Sequence, residues 1–342
     1  MLTRRQLLQL GAAATVTSTA GLILPRPTKT TGGWSQSAAE ESRKVAVQQK
    51  VDWQASDFQK DIAGTGRNRV IRLWKLWERV AGRPFSPHFQ ELGDCVAHAT
   101  CLGCETESAV SIATGEDFEW TGKLSTEAMY IIGRIEVGQG FLGMAEGMAG
   151  FWAAEAVCEY GLLPRKDYGN GFNVSVYNPK VALDRAYCRE KRPGEGVPAE
   201  LEQEMIKRRM RRVVRMDGGW DQAADFVANG YPVLICSKMG YRDKPDKDGI
   251  ILPGDDEWNH SMLLWGIDTH SRRKAGCLAN SWGATWPLAG SSHKYQTPSG
   301  CFWADARNID AMLSERHNDS YALIEYDGPK KKDLRYIFQR RV

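Results

Sequence analysis

The distribution of apolar residues divides this chain in two. Up to about residue 190 they recur at helical spacing, and beyond it they gather into short runs bounded by Gly, Pro and Asn. The spacing in Val70–Val80 predicts an amphipathic helix, and a second runs from Cys95 to about Ile112 with Glu105 and Glu107 turned outward. Further helices are expected at about 125–137 and at 150–160, the latter stopped by Gly161. After Pro193 a basic helix is expected over 201–212 and another over 220–229. Strands are expected at 212–216, 232–236, 262–267, 276–280, 300–304 and 321–324. Helices first and strands later, with no internal repeat, indicate an α+β chain with two lobes rather than an alternating βα fold.

The ends have their own character. Thr3-Arg4-Arg5-Gln6-Leu7-Leu8, a mildly apolar run to Leu24 and small residues near Ala20 resemble a twin-arginine export signal over residues 1–27. The alternative is a membrane anchor, but Gln9 and a Thr/Ser cluster make the run a weak spanning helix. An export signal implies passage through the twin-arginine translocase of a bacterium and a periplasmic or extracellular protein. Residues 28–80 read as a polar linker or frayed helix over 28–50 followed by the first helix, 81–190 as the helical lobe, 191–325 as the β-rich lobe and 326–342 as a basic tail.

Forty-five basic against 42 acidic residues leave a net charge of +3, which gives no electrostatic case for nucleic acid as a partner. The basic runs Lys207–Arg212 and Lys330–Lys332 are read as solvated faces or ends. Eight Cys in 342 residues are too few for a disulfide scaffold. Cys277 and Cys301 fall on neighbouring expected strands, where a bridge and two reduced thiols are both open.

Three segments carry the chemistry. Gln90-Glu91-Leu92-Gly93-Asp94-Cys95 puts a thiol after a Gly-containing loop and at the head of a helix. Asn259-His260 opens a hydrophobic strand, and Asn280-Ser281-Trp282-Gly283-Ala284-Thr285-Trp286 closes the next. A helix N-terminus and a nearby imidazolium can together lower a thiol pKa by several units. The His then serves as general acid toward a leaving amine, and an Asn on its other ring nitrogen fixes the tautomer. A side-chain amide such as Gln90, with the Cys95 N–H, can hold a tetrahedral oxyanion.

In order and motif the chain resembles the papain family of cysteine peptidases, over about residues 81–325. The Asn-Ser-Trp-Gly-x-x-Trp segment is the most specific match. The resemblance implies a papain-like two-lobe fold, a helical N-terminal lobe and an antiparallel β-barrel-like C-terminal lobe with the active-site cleft between them. It implies a peptide or protein substrate and no metal or organic cofactor. Cys95 would be the nucleophile, His260 the acid/base, Asn280 the orienting residue and Gln90 the oxyanion donor. Trp282 would shield the His–Asn hydrogen bond, Trp286 would wall the leaving-group side, and Trp258 would sit near the pocket for the substrate's second side chain. Gly147 matches the glycine that pairs with the substrate backbone.

The departures are concrete. Gln90 precedes Cys95 by five positions, one fewer than in papain; Val96 replaces the usual Trp; Asp94 puts a negative charge beside the thiol; Pro287 follows Trp286 in place of a Gly. Residues 28–80 lack the family's inhibitory propeptide motif, so self-inhibition by that segment is not expected. These departures keep an inactive papain-shaped binding module, and a Cys–His cell-wall amide hydrolase, as alternatives. Cys95, His98, Cys101 and Cys104 are all metal-ligand types, but steps of three on a helix rotate about 60° each and cannot close one tetrahedron. Cys101 and Cys104 as a redox pair, or as buried packing thiols, complete the readings.

Overall fold

The computed structural model describes residues 32–49, 54–87, 89–116, 119–120, 122–188, 194–287, 297–324 and 334. The expected export signal, all of the basic tail but Leu334, His88, His293 and the insertion after Pro287 lie outside the described residues.

The helices, in chain order, are α1 (Gln36–Gln49), α2 (Leu73–Ala81), α3 (Cys95–Ala113), α4 (Thr126–Ile131), α5 (Gly150–Glu159), α6 (Pro179–Ala186), α7 (Trp220–Ala228) and α8 (Ala306–Leu313). The strands are β1 (Val70–Arg72), β2 (Arg212–Arg215), β3 (Val233–Pro245), β4 (Ile251–Asp268), β5 (Ala275–Ala279), β6 (Cys301–Asp305) and β7 (Tyr321–Ile324). Every ladder is antiparallel, in the order β2-β7-β3-β4-β5-β6, with β1 also on β4.

The mixed helix and antiparallel-sheet class is the expected one, but the sheet is open along this path rather than barrel-like. The segment expected as linker and first helix is part of the core. Val70–Arg72 peels off as β1 onto β4 before α2 begins at Leu73. Trp74 of α2 then packs 6.0 Å from Trp265 and 6.2 Å from Trp303, ring centre to ring centre, joining the first third of the chain to the sheet. Only a short turn, Glu202–Ile206, forms where a longer basic helix was expected, because Lys207 to Arg212 offers no apolar stripe to bury. Two helices went unforeseen, α6 and α8. Each starts on a side-chain cap, Asn178 to the Lys180 N–H and Asp305 to the Arg307 N–H.

Helix α3 is buried along most of its length, and Glu105 and Glu107 face inward rather than outward. Glu105 accepts from the Trp77 indole at 3.0 Å and the Leu124 N–H at 2.8 Å, which is what lets a carboxyl sit inside. Burial pushes its pKa up. Cys101 and Cys104 are buried in the same interior, and Cys277 and Cys301 on β5 and β6 form no disulfide bridge. No described helix is long and apolar enough to cross a membrane.

Candidate active site

Close packing aims α3 at the sheet. A side chain at Gly103 would run into the end of Leu323 of β7 and come within 3.1 Å of that of Leu263 of β4, so glycine there lets the helix lie close on those strands. That contact carries the first residue of α3, Cys95, to the middle of β4. The Cys95 sulfur accepts from the Ser261 backbone N–H, one residue past His260.

Strand register brings the imidazole and the amide together. Leu263 stands opposite Ala279, so Asn280, just beyond the end of β5, is the diagonal neighbour of His260 on one face. His260 Nε2 lies 2.7 Å from Asn280 Oδ1. Because that oxygen also accepts the Ser281 N–H at 2.7 Å, the network assigns the ring proton to Nε2. The other nitrogen, Nδ1, is buried with no hydrogen-bond partner among the described residues. The Trp282 ring lies over the imidazole, centroids 4.7 Å apart and planes 33° apart. Trp286 closes the cage 5.2 Å from Trp282, its indole N–H given to Asp243 at 2.9 Å.

A strand of the same chain covers this arrangement. Gly33 and Trp34 each donate a backbone N–H to Asn259 O at 3.0 Å; Met148 N–H donates to Gly33 O at 2.8 Å; and Ser35 N–H donates to Met148 O at 3.1 Å. Trp34 drops its indole onto Asp319 Oδ2 at 2.9 Å and is buried. A Cβ at Gly33 would stand 2.8 Å from the Cys95 sulfur and 2.6 Å from the Gly93 carbonyl, so the strand passes directly above the thiol. Cys95 and His260 are both 0% exposed. Residues 28–80 lack the family's inhibitory propeptide motif, yet residues 33–35 lie over the thiol, held by backbone hydrogen bonds that need no particular side chains. The only sequence signal is Gly32-Gly33-Trp34, two residues without side chains before an aromatic anchor.

Burial sets the electrostatics of the covered site. It pushes the Cys95 thiol far up, reinforced by the charge of Asp94, against the help of the Ser261 N–H. It also holds His260 down at about 4, with the Asn280 bond working against it and the nearby His98 adding to it. Both groups are therefore neutral near pH 7. Under its cover the site holds a neutral thiol and a neutral imidazole, not an ion pair.

The remaining expected residues fall as follows. Gln90 is buried; its amide oxygen accepts from Ser281 Oγ and its nitrogen donates to Leu92 O at 2.9 Å, leaving one amide hydrogen. Gly147 does not pair with the covering strand: its N–H goes to Tyr130 Oη at 3.1 Å and its carbonyl to Arg134 at 2.7 Å. The next residue, Met148, pairs instead. Sequence alone hid this because the bonds are made by main chain, to which the methionine side chain is no guide. The Trp258 ring is 4.5 Å from Trp282 and 5.5 Å from Trp286, in the cage around His260. Among the described residues no group of His, Cys, Asp and Glu is arranged to hold a metal.

No family model matches the chain, and no curated protein matches it in sequence. Solved structures do. Xylellain, a cysteine protease from Xylella fastidiosa, is 16% identical, covering 89% of this chain and 100% of its own, with a TM-score of 0.57. The proform of the ragweed pollen cysteine protease Amb a 11 is 17% identical, covering 87% of this chain and 75% of its own, at 0.50. Digestive procathepsin L 3 of Tenebrio molitor is 15% identical over 84% of this chain and 89% of its own, at 0.46. At such identities the likeness to the first two speaks to the fold alone, one shared with cysteine proteases.

Proposed function

We propose that this chain is a cysteine-type peptidase, made latent by its own residues 32–35. The observation that carries the reading is the His260–Asn280 hydrogen bond of 2.7 Å beside a helix-N-terminal Cys95 whose sulfur is hydrogen-bonded to the residue after His260. Once the covering strand leaves, water returns to the two buried groups and the terms that favour charge take over: the α3 N-terminus and the Ser261 N–H for the thiolate, Asn280 for the imidazolium.

The sulfur then attacks the substrate carbonyl, forming a C–S bond, while the carbonyl electrons move to oxygen. The Cys95 N–H in the first turn of α3 and the remaining Gln90 amide hydrogen are the donors to that oxyanion. Collapse breaks the C–N bond, and His260 gives its proton to the departing amine, leaving a thioester. Water attacks the thioester with His260 as base, and the carboxylate leaves as the thiol is restored. Asn280 holds the ring throughout, and Trp282 keeps water from their bond.

The covering strand is our guide to how a substrate would lie. Met148 would offer its N–H and carbonyl, and Asn259 its carbonyl, to an extended peptide backbone, since these are the groups the strand itself uses. The twin-arginine-like N-terminus supports an exported enzyme. The test is turnover of fluorogenic peptide amides by the full chain, before and after limited proteolysis. Turnover should appear or rise on proteolysis and vanish in Cys95→Ala and His260→Ala. Turnover that persists in Cys95→Ala overturns the reading, and cleavage of muropeptides but no peptide amide favours a cell-wall amide hydrolase.

A further inference from the structure

We propose that Asp94 and His98 form a second acid–imidazole pair whose imidazole, when protonated, cancels the carboxylate charge beside Cys95 and so sets the pH at which the nucleophile ionises. The inference rests on the peptidase reading and concerns positioning residues, not groups that touch substrate.

Asp94 is at the N-cap position of α3 but does not cap it: no helix N–H bonds to its side chain. It is 0% exposed, so its placement is not explained by solvation either. Its Oδ2 accepts from Tyr177 Oη at 2.9 Å and lies 3.4 Å from His98 Nε2, one helical turn on. Oδ1 has no hydrogen-bond partner among the described residues. The His98 ring packs 5.2 Å from that of Tyr177, which fixes its side of the pair. Tyr177 in turn accepts from the Glu91 N–H at 3.1 Å, tying the cluster to the loop that carries Gln90.

A buried carboxylate one residue before a nucleophilic sulfur opposes thiolate formation unless a cation balances it. The titratable and charged groups around Asp94 are Cys95, His98 and Cys101 on its own helix, Tyr177, Glu146 on the loop before α5, and Tyr130 of α4 with the Arg134 that follows it. Arg134 is turned away, its guanidinium on the Ala186, Gly143 and Gly147 carbonyls. Of the described residues, only His98 places a basic group within ion-pair range of Asp94. His98 also reaches His260 through space and disfavours its imidazolium. Its charge thus bears on both partners of the site, relieving the sulfur and restraining the ring.

The experiment is a double-mutant cycle read at the sulfur. The pH dependence of iodoacetamide labelling of Cys95, followed by peptide mass mapping, is measured in the full chain and in Asp94→Asn, His98→Asn and the double variant. All four share the same covering strand, so its pH dependence cancels in the comparison. Expected are a midpoint about one unit lower in Asp94→Asn, about one unit higher in His98→Asn, and a double variant that matches Asp94→Asn. A His98→Asn midpoint equal to that of the parent overturns the proposal, as does an additive double variant. His98→Gln serves where His98→Asn does not fold. Failure of the peptidase reading is separate: it shows as a parent midpoint at the ordinary thiol value of about 8.5.

Discussion

Placing a methyl group on Gly33 should uncover Cys95. The structure leaves no space for it: the new carbon would be 2.6 Å from backbone atoms of Gly93 and 2.8 Å from the Cys95 sulfur. Backbone cannot swing aside as a side chain can, so the strand itself must move. Overpacking of this kind costs about 1–3 kcal/mol. The strand has little to spare. Its four backbone hydrogen bonds contribute about 1 kcal/mol each, and burying the Trp34 indole adds about 2–3 kcal/mol. Ordering its residues takes back about 1–2 kcal/mol apiece. Gly33→Ala should therefore raise the open fraction about 5- to 150-fold, at tenfold per 1.4 kcal/mol. The assay is the rate of iodoacetamide labelling of Cys95 in the full chain, with peptide-amide turnover alongside. Circular dichroism checks that the fold is intact. If Gly33→Ala labels within twofold of the parent while folded, the strand does not govern access and the reasoning fails.

The other expectations are narrower. Trp34→Ala should also speed Cys95 labelling, by removing the anchor on Asp319 without touching the site. Gln90→Ala in the opened enzyme should lower kcat about 10²–10³-fold with little change in KM if its remaining amide hydrogen serves the oxyanion; an unchanged kcat would assign that role elsewhere. Burial raises the Asp319 pKa to about 6, above the ordinary value near 3.9. In that window the folded state keeps a proton that the unfolded chain loses, so this group's stabilisation is full below pH 4 and is lost as pH rises through 6. Thermal melts of the parent and Asp319→Asn should therefore differ in slope between pH 4 and 6, and parallel curves would contradict the assignment. Arg134→Met should loosen the loop that ends in Gly147, raising KM more than it lowers kcat.

What could be read from sequence follows from where the information is stored. The class, the long α3 and the Cys–His–Asn segments are written in side chains, as periodicity and as motif, so they are legible in one dimension. Strand β1 was hidden because Val70-Ile71-Arg72 continues the helical spacing of α2, and only pairing with Ile267 and its neighbours makes it a strand. Glu105 was placed outward because a charged residue on a helix ordinarily is, and Trp77 and Leu124, which satisfy it, are remote in sequence. Residues 32–35 were missed for a deeper reason. A segment that binds through its own N–H and C=O groups, and through the absence of a Cβ, carries almost no motif. That Met148 rather than Gly147 pairs with residues 33 and 35 is the same lesson seen from the facing segment.

Silenced by burial, the Cys95 thiol and the His260 imidazole should become an ion pair once uncovered. The most direct measurement is the pH at which Cys95 is half-labelled by iodoacetamide in Gly33→Ala, with and without His260→Ala. The account predicts a midpoint well below the ordinary thiol value of about 8.5 in the first, returning to it in the second. Equal midpoints in the two proteins would contradict it.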